Sequence, residues 1–106
     1  MNQDEIARKP YLEMLALELK EIDEKAKESW ISLLRLIYDK YPSKNEAKIY
    51  AGELNEKNAT KALKKAIFDY HSDRVQDKSD IKKITFHDEI VKRLNEAYGR
   101  FKDFDA

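Results

Sequence analysis

Residues 23–29 read DEKAKES, Asp23 to Ser29, and whether a helix passes through them decides the shape of the molecule. Apolar residues recur at helical spacing on both sides: Leu12, Leu15, Leu19, Ile22 and Ala26, then Trp30, Leu33, Ile37 and Tyr41. The steps alternate between three and four residues, the period of one face of an α-helix. Ser29 is the one residue of the stretch that disfavours a helix, and no Gly or Pro interrupts it. The pattern therefore predicts one continuous helix from Pro10, a favoured first helical residue, to Tyr41, where Pro42 stops it. Such a helix is roughly 48 Å long at about 1.5 Å per residue, whereas a domain of this size has a radius of gyration near ~13 Å. Roughly 20 Å of it would overhang the rest of the bundle. Trp30–Tyr41 is the more apolar half and belongs in the bundle. The overhang then carries Leu12, Leu15, Leu19 and Ile22, spaced like a coiled-coil seam. That seam is the expected self-association surface, because a second copy would take it out of water. The competing reading breaks the helix within Asp23–Ser29 and folds it back into a compact five-helix monomer.

Composition points the same way over the whole chain. The 106 residues make a single domain, 1–106, in which 40% of residues are charged, against about 25% in ordinary globular domains. Two Gly and two Pro leave little for the turns of a β fold. The expected class is all-α, a small helical bundle with a long first helix and three shorter ones. Basic and acidic residues number 21 each, so the net charge is zero and no whole-molecule field draws the chain to nucleic acid or anionic lipid. The absence of cysteine excludes disulfides and thiol chemistry and suits a cytoplasmic location. MNQDEIARKP, the first ten residues, has no apolar signal region, and no apolar run reaches the ~20 residues of a membrane span.

Ser43-Lys44-Asn45-Glu46 matches a capping box and places a second helix over about 44–54, weakened by Gly52. Leu54 and Leu63 are nine residues apart, about 180° around a helix, so one helix cannot bury both. Asn55–Asn58 reads as a turn, with Asn58 capping a third helix over about 59–75. After the polar loop Gln76–Asp80, a fourth helix over about 86–103 begins beyond Thr85, with Asp88 completing a capping pattern.

The third helix carries the candidate site. Ala59, Leu63, Ala66, Ile67 and Tyr70 form its core face. Lys61, Lys64, Phe68, His71 and Val75 fall on another face about 120° away. Phe68 either meets a second helix there or stands exposed in a cationic rim, the composition of a protein-binding surface. The five are assigned to an unidentified protein partner. Lysines 57, 61, 64 and 65 gather at the start of this helix and Asp69, Asp73 and Asp77 at its end, the reverse of what the helix dipole favours. Local stability did not select that arrangement. Lys57, Lys61, Lys64 and Lys65, with Lys82 and Lys83, also form the alternative nucleic-acid-binding patch, on which Phe68 or Tyr70 could stack a base.

No catalytic residue, metal or cofactor is assigned. Asp69 and Asp73 lie two residues either side of His71, on other sides of the helix. His87 sits in the apolar stripe of the last helix, read as partly buried, hydrogen-bonded and kept neutral by the helix N-terminus. There is no H-E-x-x-H, Gly-rich phosphate loop or nucleophile elbow. A helical chorismate mutase also has a long first helix, but its site needs several cations aimed into the bundle, and the first helix here offers Arg35 alone. The expected architecture resembles the small bacteriocin immunity proteins, cytosolic four-helix bundles of about this length. That resemblance lies in architecture, without a shared motif, and assigns no residue. The expected function is a non-enzymatic helical binding protein, acting as inhibitor, immunity factor, adaptor or regulator by protein–protein contact.

Overall fold

The computed structural model describes residues 3–43 and 47–102. Its helices are α1 (Gln3–Met14), α2 (Ala16–Glu28), α3 (Trp30–Lys40), α4 (Ala59–Tyr70) and α5 (Ile81–Phe101). Short 3-10 turns occupy Glu56–Asn58 and Ser72–Arg74. Among the described residues there is no strand.

The chain does not run straight through Asp23–Ser29. Ser29 is extended, with φ −173° and ψ 160°. Its N–H still reaches the Lys25 carbonyl at 3.2 Å, which closes α2. Its Oγ accepts from the Ser32 N–H at 3.0 Å, which caps α3. One serine thus ends one helix and starts the next, and α3 folds back on α2. The expected single helix over 10–41 is therefore replaced by three. Burial explains the choice: Leu19 and Ile22 of α2 share a core with Leu33, Leu34 and Ile37 of α3. Leaving such side chains in water forgoes roughly 1.5–3 kcal/mol each, which outweighs the local preference of DEKAKES for helix. The longest dimension of the molecule is 40 Å, too short for the expected rod. Glu21 closes the far end of the hairpin by taking the Lys40 ammonium at 2.7 Å and the Tyr41 hydroxyl at 3.1 Å.

The seam once expected to face a second copy is spent inside the same chain. Leu15, Leu19 and Ile22 are buried, and Leu12 packs half-buried against the same core. The helical hydrogen bonds continue across the junction of α1 and α2, from the Leu15 N–H to the Tyr11 carbonyl and from the Leu19 N–H to the Leu15 carbonyl at 2.9 Å each, despite ψ 4° at Leu15. α1 also begins upstream of expectation, so Pro10 lies inside it. Pro10 and Ile6 are both exposed, so the Ile6 carbonyl that loses its N–H partner can turn to water.

α5 is the shared wall on which α1, α2 and α4 pack. It starts at Ile81, five residues before the expected start at Phe86, because the Asp80 carboxylate accepts the Lys83 N–H at 3.0 Å. Asp88, read as a capping residue, instead pairs with Arg8 of α1 at 2.7 Å. Arg93 joins α5 to α2 through Asp23 at 2.6 Å. Of the helix expected at 44–54, residues 44–46 lie outside the described residues and 47–54 are not helical. Ser43 Oγ accepts from the Ala47 N–H at 3.2 Å. Ile49, Tyr50 and Leu54 lie half-buried against the core from irregular chain instead. Gly52 sits under the Tyr50 ring, where a β-carbon would collide. Asn58 occupies the cap position of α4, as expected, but makes no side-chain capping bond; the bond is made one turn earlier, where Asn55 Oδ1 accepts the Asn58 N–H at 3.0 Å. α4 ends at Tyr70, not near Val75: His71 leaves the helix with ψ 136°.

Urea denaturation tests the fold-back. Ile22→Ala should lose about 2–5 kcal/mol and Ser29→Ala about 1 kcal/mol. Leu15→Glu/Leu19→Glu should unfold the chain; a double variant with native helicity would place those leucines on the surface.

Candidate functional site

Of the core face expected on α4, Ala59, Leu63, Ala66 and Tyr70 are buried and Ile67 is half-buried, with Ala62 buried beside them. That fixes what points outward. Lys57, Lys61, Lys64 and Phe68 follow at steps of four, three and four, one stripe of a helix, and all four are exposed. Phe68 is 60% exposed, so it makes no second core contact. Arg74, from the 3-10 turn after α4, lays its guanidinium 3.7 Å from the centre of the Phe68 ring, a cation–π stack. Lys64 Nζ lies 5.7 Å from the centre of the Tyr98 ring. His71 is exposed, and its Nδ1 accepts the Asp73 N–H at 3.1 Å, so its ring closes the turn that carries Arg74. Val75 drops out of the assigned set: the turn swings it inward to 1% exposure. Arg74 was not assigned from sequence, because it lies beyond the helix and only the turn brings it back to Phe68.

Lys65 also drops out, in its case from the cationic patch. Its ammonium is 2.6 Å from Asp69 Oδ2, donates to the Lys48 carbonyl and lies 5.7 Å from the Tyr38 ring centre. Tyr38 donates its hydroxyl to the same Asp69 oxygen at 2.6 Å, and Asp69 is buried. This cluster removes most of the conflict with the helix dipole. Asp69 is the one acid in the last turn of α4 and is held by two donors, while Asp73 and Asp77 lie past its end. Lys57 sits in the turn before α4. Burial, reinforced by the hydrogen bond to Asp69, pushes the Tyr38 phenol well above the ordinary tyrosine range. Lys82 is exposed and Lys83 half-buried in the first turn of α5.

His87 is buried with Nδ1 2.9 Å from the Tyr70 carbonyl. A carbonyl can only accept, so the ring is assigned as the Nδ1–H tautomer. Burial lowers its pKa. The helix N-terminus is not the cause, since α5 begins six residues earlier. Among the described residues, no three His, Asp or Glu side chains gather as a metal site would require, and no helix is long and apolar enough to cross a membrane.

Two further surface features lie away from α4. Ile6, Met14 and Leu17 stand exposed along α1 and α2. A groove of about 790 Å³ lies between the outer side of α3 and the irregular chain after it, lined by Arg35 on one side and Lys48 and Ile49 on the other. No protein-family model, curated protein or solved structure matches this chain.

The buried histidine sets a pH dependence. The folded state holds His87 neutral, whereas the unfolded state protonates it near its ordinary pKa of 6.5. Stability should therefore be full above about pH 6.5 and fall as pH drops towards the lowered folded pKa. In His87→Asn, the Nδ2 amide can still donate to the Tyr70 carbonyl without titrating. Thermal melts at about pH 7 and about pH 5.5 should show a smaller acid loss in this variant. An equal loss in both proteins would assign the effect elsewhere.

Proposed function

We propose that the protein is a non-enzymatic helical binding protein, an inhibitor, immunity factor, adaptor or regulator, that docks on a protein partner through the outward stripe of α4. The observation that supports this reading is Phe68. A bundle that buries Leu63, Ala66 and Tyr70 on the same helix leaves this aromatic 60% exposed and holds it under a guanidinium. Folding does not require such a ring at the surface, and aromatic and arginine side chains concentrate in the centres of interfaces. The stack also restricts the ring before binding, which lowers the ordering cost of association. Four cations accompany the ring, Lys57, Lys61 and Lys64 along the stripe and Arg74 from the turn, with Asp73 beside His71. They fit a partner with an apolar pocket rimmed by carboxylates.

The same three lysines in line also support a second reading, nucleic-acid binding with Phe68 as a stacking platform. It is the weaker of the two, because Lys65 is taken by Asp69 and the basic track is shortened by one.

Capture from a host lysate followed by mass spectrometry separates the readings. The wild-type chain should retain a protein that Phe68→Ala/Lys64→Glu does not, with helical circular dichroism and melting temperature nearly unchanged, since both side chains are exposed. Equal capture by the variant would overturn the proposal. Recovery of nucleic acid, released steeply by salt, would establish the second reading.

A further inference from the structure

We infer that the groove outside α3 is a binding site for an amphipathic carboxylate, a small molecule with a hydrocarbon or aryl body and one carboxylate group. The site is separate from the outward stripe of α4 and does not depend on it. Its volume of about 790 Å³ falls in the range of small-molecule pockets, roughly 300–1,000 Å³. Leu36, Tyr38, Pro42 and Ile49 give it an apolar lining. Among the described residues, Lys25, Arg35 and Lys48 line it too, against the single carboxylate of Asp39. Lys25 already pairs with Glu28 at 3.0 Å. Among the described residues, neither Arg35 nor Lys48 makes an ion pair through its side chain. The groove therefore offers an apolar surface together with two cations that no described residue pairs, one of them a guanidinium whose planar fork matches a carboxylate. Asp39 opposes a second negative charge, which favours a monoanion over a phosphate dianion.

The groove is also held in shape. Residues 47–49 have no regular secondary structure, yet Lys65 Nζ fastens the Lys48 carbonyl to α4. Lys65 is fixed in turn by the buried Asp69 carboxylate. Asp69 also accepts the Tyr38 hydroxyl, which sets the ring that lines the groove. A buried acid and two donors thus secure one wall and part of the lining before any ligand arrives, the preorganisation that a binding site needs.

Decanoate is a suitable probe, with decanol as the uncharged control, each titrated into the intact ¹⁵N-labelled chain below its aggregation concentration. Decanoate should bind saturably at one site with a sub-millimolar dissociation constant. Amide shifts should centre on residues 32–39 and 47–49 and on Lys25. Decanol should bind at least about tenfold more weakly, a difference of about 1.4 kcal/mol. Arg35→Glu should weaken decanoate by at least tenfold and Arg35→Lys by much less, neither changing the melting temperature, because Arg35 is exposed. Non-saturable binding would overturn the inference. So would shifts centred on Ile6, Met14 and Leu17, equal binding of decanol, or full affinity in Arg35→Glu.

Discussion

The hydroxyl of Tyr70 holds this bundle in register. It donates at 2.8 Å to the carbonyl of Ile37, in the last turn of α3, where helix carbonyls run out of backbone partners. Ile37 also accepts the Tyr41 N–H at 3.0 Å, so the phenol uses the second lone pair of one carbonyl. The Tyr70 carbonyl receives His87 Nδ1 from α5, and its ring meets Tyr38 edge-on with centroids 5.2 Å apart. One fully buried residue thereby ties α3, α4 and α5 together. Each of these buried polar groups would cost about 1–3 kcal/mol if left without a partner, so the three helices have little freedom to slide. Burial pushes the Tyr70 phenol above the ordinary range, and it remains a donor throughout the neutral range.

Because Tyr70 fixes the rotation of α4, it also fixes what the residues before it do. Successive helical residues point about 100° apart. Tyr70 points into the core, Asp69 towards Tyr38 and Lys65 beside the groove, and Phe68 into solvent. Three consecutive residues thus serve the core, the wall of the groove and the outward stripe. A rotation that exposed Tyr70 would also bury Phe68 and break the Asp69 cluster. The buried carboxylate is weak evidence of net stabilisation, since desolvation offsets much of what pairing returns. Its clearer consequence is geometric, because it holds the Tyr38 ring and the Lys48 carbonyl at fixed places.

The parts legible in the sequence are those set by the period of apolar residues: the all-α class, the buried face of α4, and the position of Phe68 off that face. The parts not legible were set by distant partners. Nothing within DEKAKES opposes a helix strongly, and the fold-back at Ser29 follows from pairing Leu19 and Ile22 with Leu33 and Ile37 across the turn. A local signal did exist: apolar residues after Trp30 double up at Leu33–Leu34 and Leu36–Ile37, more than one stripe of an extended rod would bury. At the start of α5 the expected boundary at Thr85 gives way to Asp80, whose cap lets Ile81 and Ile84 join the helix. The groove has no sequence signature, since it needs residues 32–39 and 47–49 side by side. Leu36, an apolar residue among Ser32, Arg35 and Asp39, was its only trace.

The zero net charge conceals a sorting of charges by location. Arg8 with Asp88, Arg93 with Asp23, Lys40 with Glu21 and Lys65 with Asp69 pair across or along the helices. Each such pair contributes little where it is exposed, about 0–1 kcal/mol, but together they neutralise the helix junctions. Among the described residues, Lys57, Lys61 and Lys64 remain without ion pairs on the stripe of α4, as do Arg35 and Lys48 at the groove. At physiological salt the Debye length is about 8 Å, so a partner close to either surface responds to that surface and hardly to the acids elsewhere. Overall neutrality therefore argues against long-range attraction to a polyanion and leaves short-range recognition of a carboxylate intact. The two cationic surfaces are consistent with that distinction: each joins a few cations to apolar surface, which favours ligands that present both.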